Sequence, residues 1–297
     1  MRLTIIDKRV EVWETQALAE AAVKRGWSAE IVDITSLNDV GETVSGLGDI
    51  VIWRYASTLG SALWAKATIL RLLKNKFVLN RDILSRTYLP MKMAQQILMA
   101  METDVATIPT FQFKDEVQLR EAIGAGKLSW PMVLKRNVGT RGEGVRKLDS
   151  YHEVRMTPKD FKATIFQPFL ANRGDYRVLM LDGVVLGAIH RRARAGEFRN
   201  NISQGAIAEK VTDEATMKRL NEIAAKVYQV AQLPLLGIDI LHSVDDDRWY
   251  FLELNTIPEW RGFQQATGID VAERVLSLCH EWYEKSLNNQ HYRVGVI

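Results

Sequence analysis

Gly237-Ile238-Asp239-Ile240-Leu241, then Asp245-Asp246-Asp247, then Trp249-Tyr250-Phe251-Leu252-Glu253-Leu254-Asn255 read as two apolar strands around a polar turn. With the turn centred on Asp246, Asp239 and Glu253 lie opposite one another, seven residues to either side. Cross-strand partners stand about 5 Å apart at Cβ, and two like charges there repel. Glu253 and Asn255 share a face because side chains alternate along a strand. Two carboxylates and an amide oxygen therefore converge, and an all-oxygen set suits magnesium rather than zinc. A solvated acidic face is the competing reading, and the apolar neighbours of both residues argue against it. A slip of one residue would turn one strand over.

Working back toward the N-terminus, Leu3–Ile6, Ala29–Ile34 and Asp49–Trp53 are strand-like. Val12–Lys24 and Leu59–Leu73 have helical periodicity. This alternation predicts a parallel α/β sheet. Such sheets bind ligands beyond the carboxyl ends of their strands, so Arg54 and Ser57, just after Trp53, are candidate substrate contacts. A polar loop with no ligand explains them equally. A helix over Met91–Met101 follows Pro90, and from Ile108 the pattern turns to shorter strands: Thr110–Phe113, Met132–Arg136, Thr164–Phe169, Tyr176–Leu181 and Val184–His190. Helices over Asp213–Ala231 and Asp270–Lys285 complete an α+β part, with the tail after Leu287 frayed or docked as an edge.

Three further stretches carry chemistry. In Met132-Val133-Leu134-Lys135-Arg136-Asn137-Val138-Gly139-Thr140-Arg141-Gly142-Glu143-Gly144, a strand delivers Lys135 and a loop of three glycines follows. Glycines let backbone N–H groups approach phosphate, and the lysine adds a point charge. An ordinary glycine-rich hairpin has the same letters. Phe166-Gln167-Pro168-Phe169-Leu170 at a strand end could line a flat base pocket or simply the core. Arg191, Arg192, Arg194 and Arg199 fall within nine residues and could grip phosphate or carboxylate. No extended basic field surrounds them, which disfavours nucleic acid.

The composition agrees with a globular enzyme: 297 residues, 47% hydrophobic, 25% charged, net charge +3. One cysteine, Cys279, excludes an internal disulfide and a cysteine-based zinc site, and its apolar setting reads as packing. The first apolar run is too short for a signal peptide, and no run reaches a membrane span of about 18 residues, so a cytoplasmic location without membrane or nucleic-acid partners is expected.

In this order the elements resemble the ATP-grasp superfamily, most closely the family of the ribosomal protein S6 glutamate ligase. Ala188–Ala206 is similar to its arginine-rich segment, Leu236–Pro258 to its metal hairpin, and Lys92 with Gln95, Leu98 and Ile108-Pro109-Thr110 to its first lysine helix and the following strand. The resemblance covers residues 1–287. It implies an N-terminal α/β domain over 1–90, a central ATP-grasp subdomain with a glycine-rich lid over 91–163, and a C-terminal subdomain with the metal hairpin over 164–297. It further implies ATP held by Lys92, Lys135, Gly139, Thr140, Gly142 and Gly144, with the base at Gln167, Pro168, Phe169, Leu170 and Leu252 and the ribose near Asp175. Asp239, Glu253 and Asn255 would hold one or two magnesium ions, or manganese. Arg191, Arg199 and Asn201 would bind the transferred phosphate or a carboxylate. The implied reaction joins a carboxylate to an amine through an acyl phosphate, with an amino acid, a peptide or a protein tail as acceptor, in a homo-oligomer. A non-catalytic ATP-binding regulator and a kinase-type phosphotransferase are the alternatives. Gln204-Gly205-Ala206 stands where the family carries Arg-Gly-Gly, which puts the S6 reaction itself in doubt.

Overall fold

The computed structural model describes residues 1–33, 46–55, 77–84, 86, 89–139, 142, 144–194, 196–202 and 205–288. Ser57, Thr140, Gln204, the helix expected over 59–73 and the tail after 288 lie outside them. The chain forms two compact units, Met1–Thr87 with Leu233–Leu236 and Thr256–Ile297, and Tyr88–Gln232 with Gly237–Asn255. The break after Thr87 lies close to the boundary expected at 90; the units differ from the expectation in having no break at 163 and in placing Thr256–Ile297 with the N-terminal sheet.

In the first unit β1 (Arg2–Asp7), β2 (Ser28–Asp33), β3 (Ile50–Trp53) and β4 (Phe77–Leu79) pair in parallel in the order β2-β1-β3-β4. Ile50, Val51, Ile52 and Trp53 are all fully buried, so the whole of β3 is apolar rather than alternating, as expected of a central parallel strand covered on both faces. α1 (Trp13–Lys24) packs with the C-terminal helix that runs over Val271–Asn288. That helix buries Val271, Ala272, Val275, Leu276 and Cys279 at helical spacing. Burial pushes the Cys279 thiol up to about 12, which confirms a packing role.

Arg54, expected as a substrate contact, is instead a core cation only 3% exposed. Its Nε lies 3.4 Å from Asp7 Oδ2 and 3.2 Å from Thr15 Oγ1, and its guanidinium sits 4.7 Å above the Trp260 ring. Burial pulls its pKa down, against the attraction of Asp7 and Glu14. Glu14 is also buried and accepts the backbone N–H groups of Trp260 and Arg261 at 2.9 and 3.0 Å. These two acceptor bonds cap the start of a short helix over Arg261–Thr267, and Trp260 and Phe263 are core aromatics.

In the second unit α2 (Lys92–Glu102) follows Pro90 and leads to the two-residue strand β5 (Ala106–Thr107), shorter than the strand expected over 110–113. Phe111 makes only an isolated bridge to Phe166. α3 (Glu116–Gly124) was not expected; Asp115 caps it by accepting from Gln118 N. β6 (Met132–Arg136), β7 (Arg146–Leu148) and β8 (Thr164–Pro168) form an antiparallel sheet in the order β7-β6-β8. Leu119, Met132, Leu134, Phe161 and Phe166 fill the core against it. A short helix, α4 (Pro158–Ala163), carries a Thr157–Asp160 capping box.

The larger sheet adds β9 (Asn172–Leu181), β10 (Val184–Arg192), β11 (Ile207–Lys210), β12 (Leu235–Ser243) and β13 (Trp249–Asn255), in the order β11-β10-β9-β12-β13-β5. α2 packs on β13 and α5 (Glu214–Ala231) on β9 and β10. Among the described residues no helix is long and apolar enough to cross a membrane.

Arg54→Met would leave Asp7 and Glu14 buried without their cation, and losing one partner of a buried pair costs about 3–5 kcal/mol. We expect the urea unfolding midpoint, followed by circular dichroism, to fall accordingly. An unchanged midpoint with weakened substrate binding would return Arg54 to a surface role.

Candidate active site

The strand order carries charged residues side by side across the larger sheet. Asp175 on β9 is opposite Arg191 on β10, and Asp239 on β12 is opposite Glu253 on β13. β9 and β12 are neighbours, so the row crosses four adjacent strands. Arg191 Nε donates to Asp175 Oδ1 at 2.6 Å, and its Nη2 lies 3.0 Å from Asp239 Oδ2. Arg177 forks onto the same carboxylate, with Nη2 donating to Oδ2 at 2.8 Å and Nε to Oδ1. Asn255 Nδ2 reaches Asp239 Oδ2 at 3.3 Å. Burial opposes the charge on Asp239, but Arg177 and then Arg191 outweigh it and hold the carboxyl well below the usual range. Asp175 moves the other way, because burial dominates over its single arginine bond.

The expected register holds at Asp239 and Glu253, and a bulge follows. The next partner of Ile240 is Phe251, which leaves Leu252 unpaired on β13. Strict alternation would send Leu252 and Glu253 to opposite faces. A bulge re-aims side chains, and here both residues line one cleft. Asn255 is held beside the acidic pair by its bond to Asp239 but does not line the cleft.

The opposite wall comes from the smaller sheet. β6 delivers Lys135, 6% exposed, into the cleft. Burial pushes its pKa down to about 8, with Glu253 partly restoring the charge and Lys92 opposing it. Lys92, in the first turn of α2, bridges the two walls. Its Nζ donates to Gly139 O at 2.8 Å and lies 3.1 Å from Glu253 Oε2. Gly142 has φ +69, and a Cβ there would stand 2.5 Å from Asn201 Oδ1. Gly142 therefore lies beside the Asn201 side chain of the arginine-rich segment, and its left-handed backbone strains any residue with a Cβ. Gly144 lies outside the cleft lining.

Gln167, Pro168, Phe169 and Leu170 also line the cleft, which holds about 900 Å³ of space continuous with solvent. Gln167 is buried and donates to Thr110 Oγ1 at 2.7 Å. Arg199 and Asn201 lie on the same cleft, and Arg199 is forked by the adjacent Glu197, with Nη2–Oε2 at 2.7 Å. Asp175 lines the cleft too, but its contact is with Arg191. Arg177 was missed from the sequence. Its signal was available, since it stands two residues from Asp175 and so on the same strand face.

Among the described residues no three His, Cys, Asp or Glu side chains form a metal cluster. The donors that do converge are the carboxylates of Asp239 and Glu253. Magnesium is commonly held by one or two carboxylates together with substrate phosphates rather than by a full protein cage, so this all-oxygen pair beside buried lysines fits it.

A cationic wall facing an acidic hairpin, carried on one antiparallel and one mixed sheet, is the arrangement of an ATP-grasp ligase, an enzyme that uses ATP to join a carboxylate to an amine. The sequence model of the RimK-like ATP-grasp domain matches residues 91–279, and the chain belongs to that family. A ribosomal protein bS6–L-glutamate ligase of Salmonella paratyphi B is 26% identical over 305 residues, covering 96% of each chain. The ATP-grasp ligase PsnB, solved with a minimal precursor, Mg and ADP, shares the fold at a TM-score of 0.68 and 15% identity, over 95% of this chain and 98% of that one. A D-alanine–D-alanine ligase from Bacillus anthracis does so at 0.69 and 18% identity, over 96% and 98%.

Burial pushes the Lys135 ammonium down to about 8, which leaves it largely charged at neutral pH and neutral above that value. We expect ATP affinity to weaken as pH rises from 7 to 9, and Lys135→Met to be weaker throughout with this drop flattened. Equilibrium nucleotide titration across that range checks both; an unaltered pH slope in Lys135→Met assigns the drop to another group.

Proposed function

We propose that this cleft binds ATP with magnesium and activates a carboxylate as an acyl phosphate for attack by the amino group of an amino acid, a peptide or a protein tail. The observation that carries the reading is the Lys92 ammonium, held at once by the glycine loop through Gly139 O and by the acidic edge through Glu253 Oε2. A group in that position serves both the phosphate chain and the metal.

When bound, ATP supplies the phosphoryl group that turns the carboxylate into a leaving-group-bearing acyl donor, and magnesium neutralises phosphate charge. Lys92 and Lys135 hold the phosphates as point charges, and backbone N–H groups around Gly139 and Gly142 complete the cradle. Residues 167–170 and Leu252 enclose the base. Asp239 and Glu253 present the metal carboxylates, with Asn255 as an adjacent oxygen donor. Arg191 is committed to Asp175 and Asp239, so it orients the metal edge and the transferred phosphate rather than reaching outward. Arg199 is half-buried and, among the described residues, paired with Glu197, so it and Asn201 are the groups placed to receive a substrate carboxylate. Closure of the glycine loop onto bound nucleotide, with Gly142 beside Asn201, would limit water that could hydrolyse the activated acyl group.

The substrate class follows the relatives only in outline. The named relatives are a ligase of ribosomal protein bS6 and L-glutamate, a ligase solved with a minimal precursor, and a D-alanine–D-alanine ligase, and the substrates proposed here come from the same classes of protein, peptide and amino acid.

ADP release from ATP and magnesium across a panel of amino acids and short peptides tests the proposal. Release that requires both a carboxylate and an amine supports it; phosphorylated product without amine incorporation overturns it in favour of a kinase. Glu253→Gln should lower turnover by at least about 100-fold with the circular dichroism spectrum intact, since it removes one of two metal carboxylates. Normal turnover in that folded variant would refute the metal assignment.

A further inference from the structure

Two neighbouring glutamines of α2 are buried, although polar side chains at such positions need full hydrogen-bond satisfaction. Both spend their amides on backbone groups. Gln95 makes a closed pair with Leu254, donating Nε2–H to Leu254 O at 2.9 Å and accepting Leu254 N–H on Oε1 at 2.8 Å. Its second N–H goes to Leu89 O. Gln96 donates to Leu252 O at 2.9 Å and Phe251 O at 3.2 Å, and accepts from Ile108 N at 3.1 Å.

The reason lies in the edge of the sheet. β13 is flanked by β5 only at Tyr250 and Phe251, which pair with Ala106 and Thr107. Beyond Phe251 its outer edge has no strand among the described residues, and an unpaired buried backbone edge is costly. A carboxamide offers the same donor and acceptor as a peptide group. The two glutamines therefore stand in for the missing strand, over the residues where the bulge occurs. Leu254 lies between Glu253 and Asn255, and Lys92 lies one helical turn before Gln95, on the same side of α2. The Gln95–Leu254 pair thus ties the helix that carries the lysine to the strand that carries the carboxylate.

We infer that Gln95 is a positioning residue for the metal edge: its two-point bond to Leu254 fixes Glu253 against Lys92 and opposite Asp239. This rests on the reading of Glu253 as a metal carboxylate. Gln95 does not line the cleft, so its effect would run through the backbone of Leu254.

The test measures Mn²⁺ binding to the full chain at saturating ADP, by electron paramagnetic resonance, alongside ADP binding without metal. Gln95→Met, similar in size and without the amide, should weaken Mn²⁺ by about tenfold, as loss of a supporting contact to a metal ligand commonly does. ADP affinity without metal should stay that of the unsubstituted chain, a split that general unfolding would not give. If Gln95→Met does not fold, Gln95→Glu keeps the length and the acceptor for Leu254 N–H, lacks the donor for Leu254 O, and should show the same loss. Glu253→Gln is measured in parallel. Weakened Mn²⁺ binding in Glu253→Gln with unchanged binding in the folded Gln95 variant overturns the positioning role alone. Unchanged binding in Glu253→Gln overturns the metal reading and this inference with it.

Discussion

The carboxylate of Asp239 is the constraint on which the second unit depends. It is 1% exposed, and an ionised carboxylate at that depth costs several kcal/mol in desolvation unless it is paired and hydrogen-bonded. The structure meets this with two guanidiniums and an amide, brought from β9, β10 and β13. Each partner requires its strand in one register, since a slip of one residue would turn Arg177 or Arg191 to the opposite face. Register, charge compensation and the position of Glu253 are thereby fixed together. Well-packed apolar residues could stabilise such a sheet as well or better, so stability alone does not account for the network.

What the network provides is preorganisation. Around the cleft the carboxylates of Asp175, Asp239 and Glu253 face the cations Arg177, Arg191, Lys92 and Lys135, with Arg199 nearer the surface. The balance favours positive charge, which a phosphate chain would complete. Because the cations are already oriented by carboxylates, little rearrangement is left for the moment when charge develops, and this is where electrostatic catalysis gains most. Lys135 departs from the pattern, since it is buried with its nearest influences at a distance and its charge is held only weakly. It is the cation with most to gain from an incoming anion.

Much of this was legible in the sequence, and the parts that were not have a common cause. The hairpin register at Asp239 and Glu253, β6 over Met132–Arg136 and the helix over Glu214–Ala231 follow from periodicity and turn chemistry, which are local. The bulge at Leu252 is not local. It falls where Gln95 and Gln96, more than 150 residues away in the chain, bond the backbone on the other edge of β13. Arg54 was misjudged for the same kind of reason. Its place after β3 matches the rule for ligand contacts, but Glu14 and Trp260 close over it from the two ends of the chain. Short elements such as α3 and β11 were overlooked because a few residues carry too little periodicity to read.

The distinction between contacts read from a motif and contacts read from packing bears on where specificity resides. The residues proposed to handle phosphate and metal sit on β6, β9, β10, β12 and β13 or in the first turn of α2, held by ladders and by buried ion pairs. The residues placed toward a substrate, Arg199 and Asn201, sit on the connection between β10 and β11, where one is held by its near neighbour Glu197 and the other touches Gly142. Rigid strands can keep the ATP chemistry constant while this connection changes length and composition at little cost to the core. A chain 26% identical to a bS6–glutamate ligase can therefore keep the activation step intact and direct it to a different amine, and the departure at Gln204-Gly205-Ala206 falls, in the sequence, on that same connection.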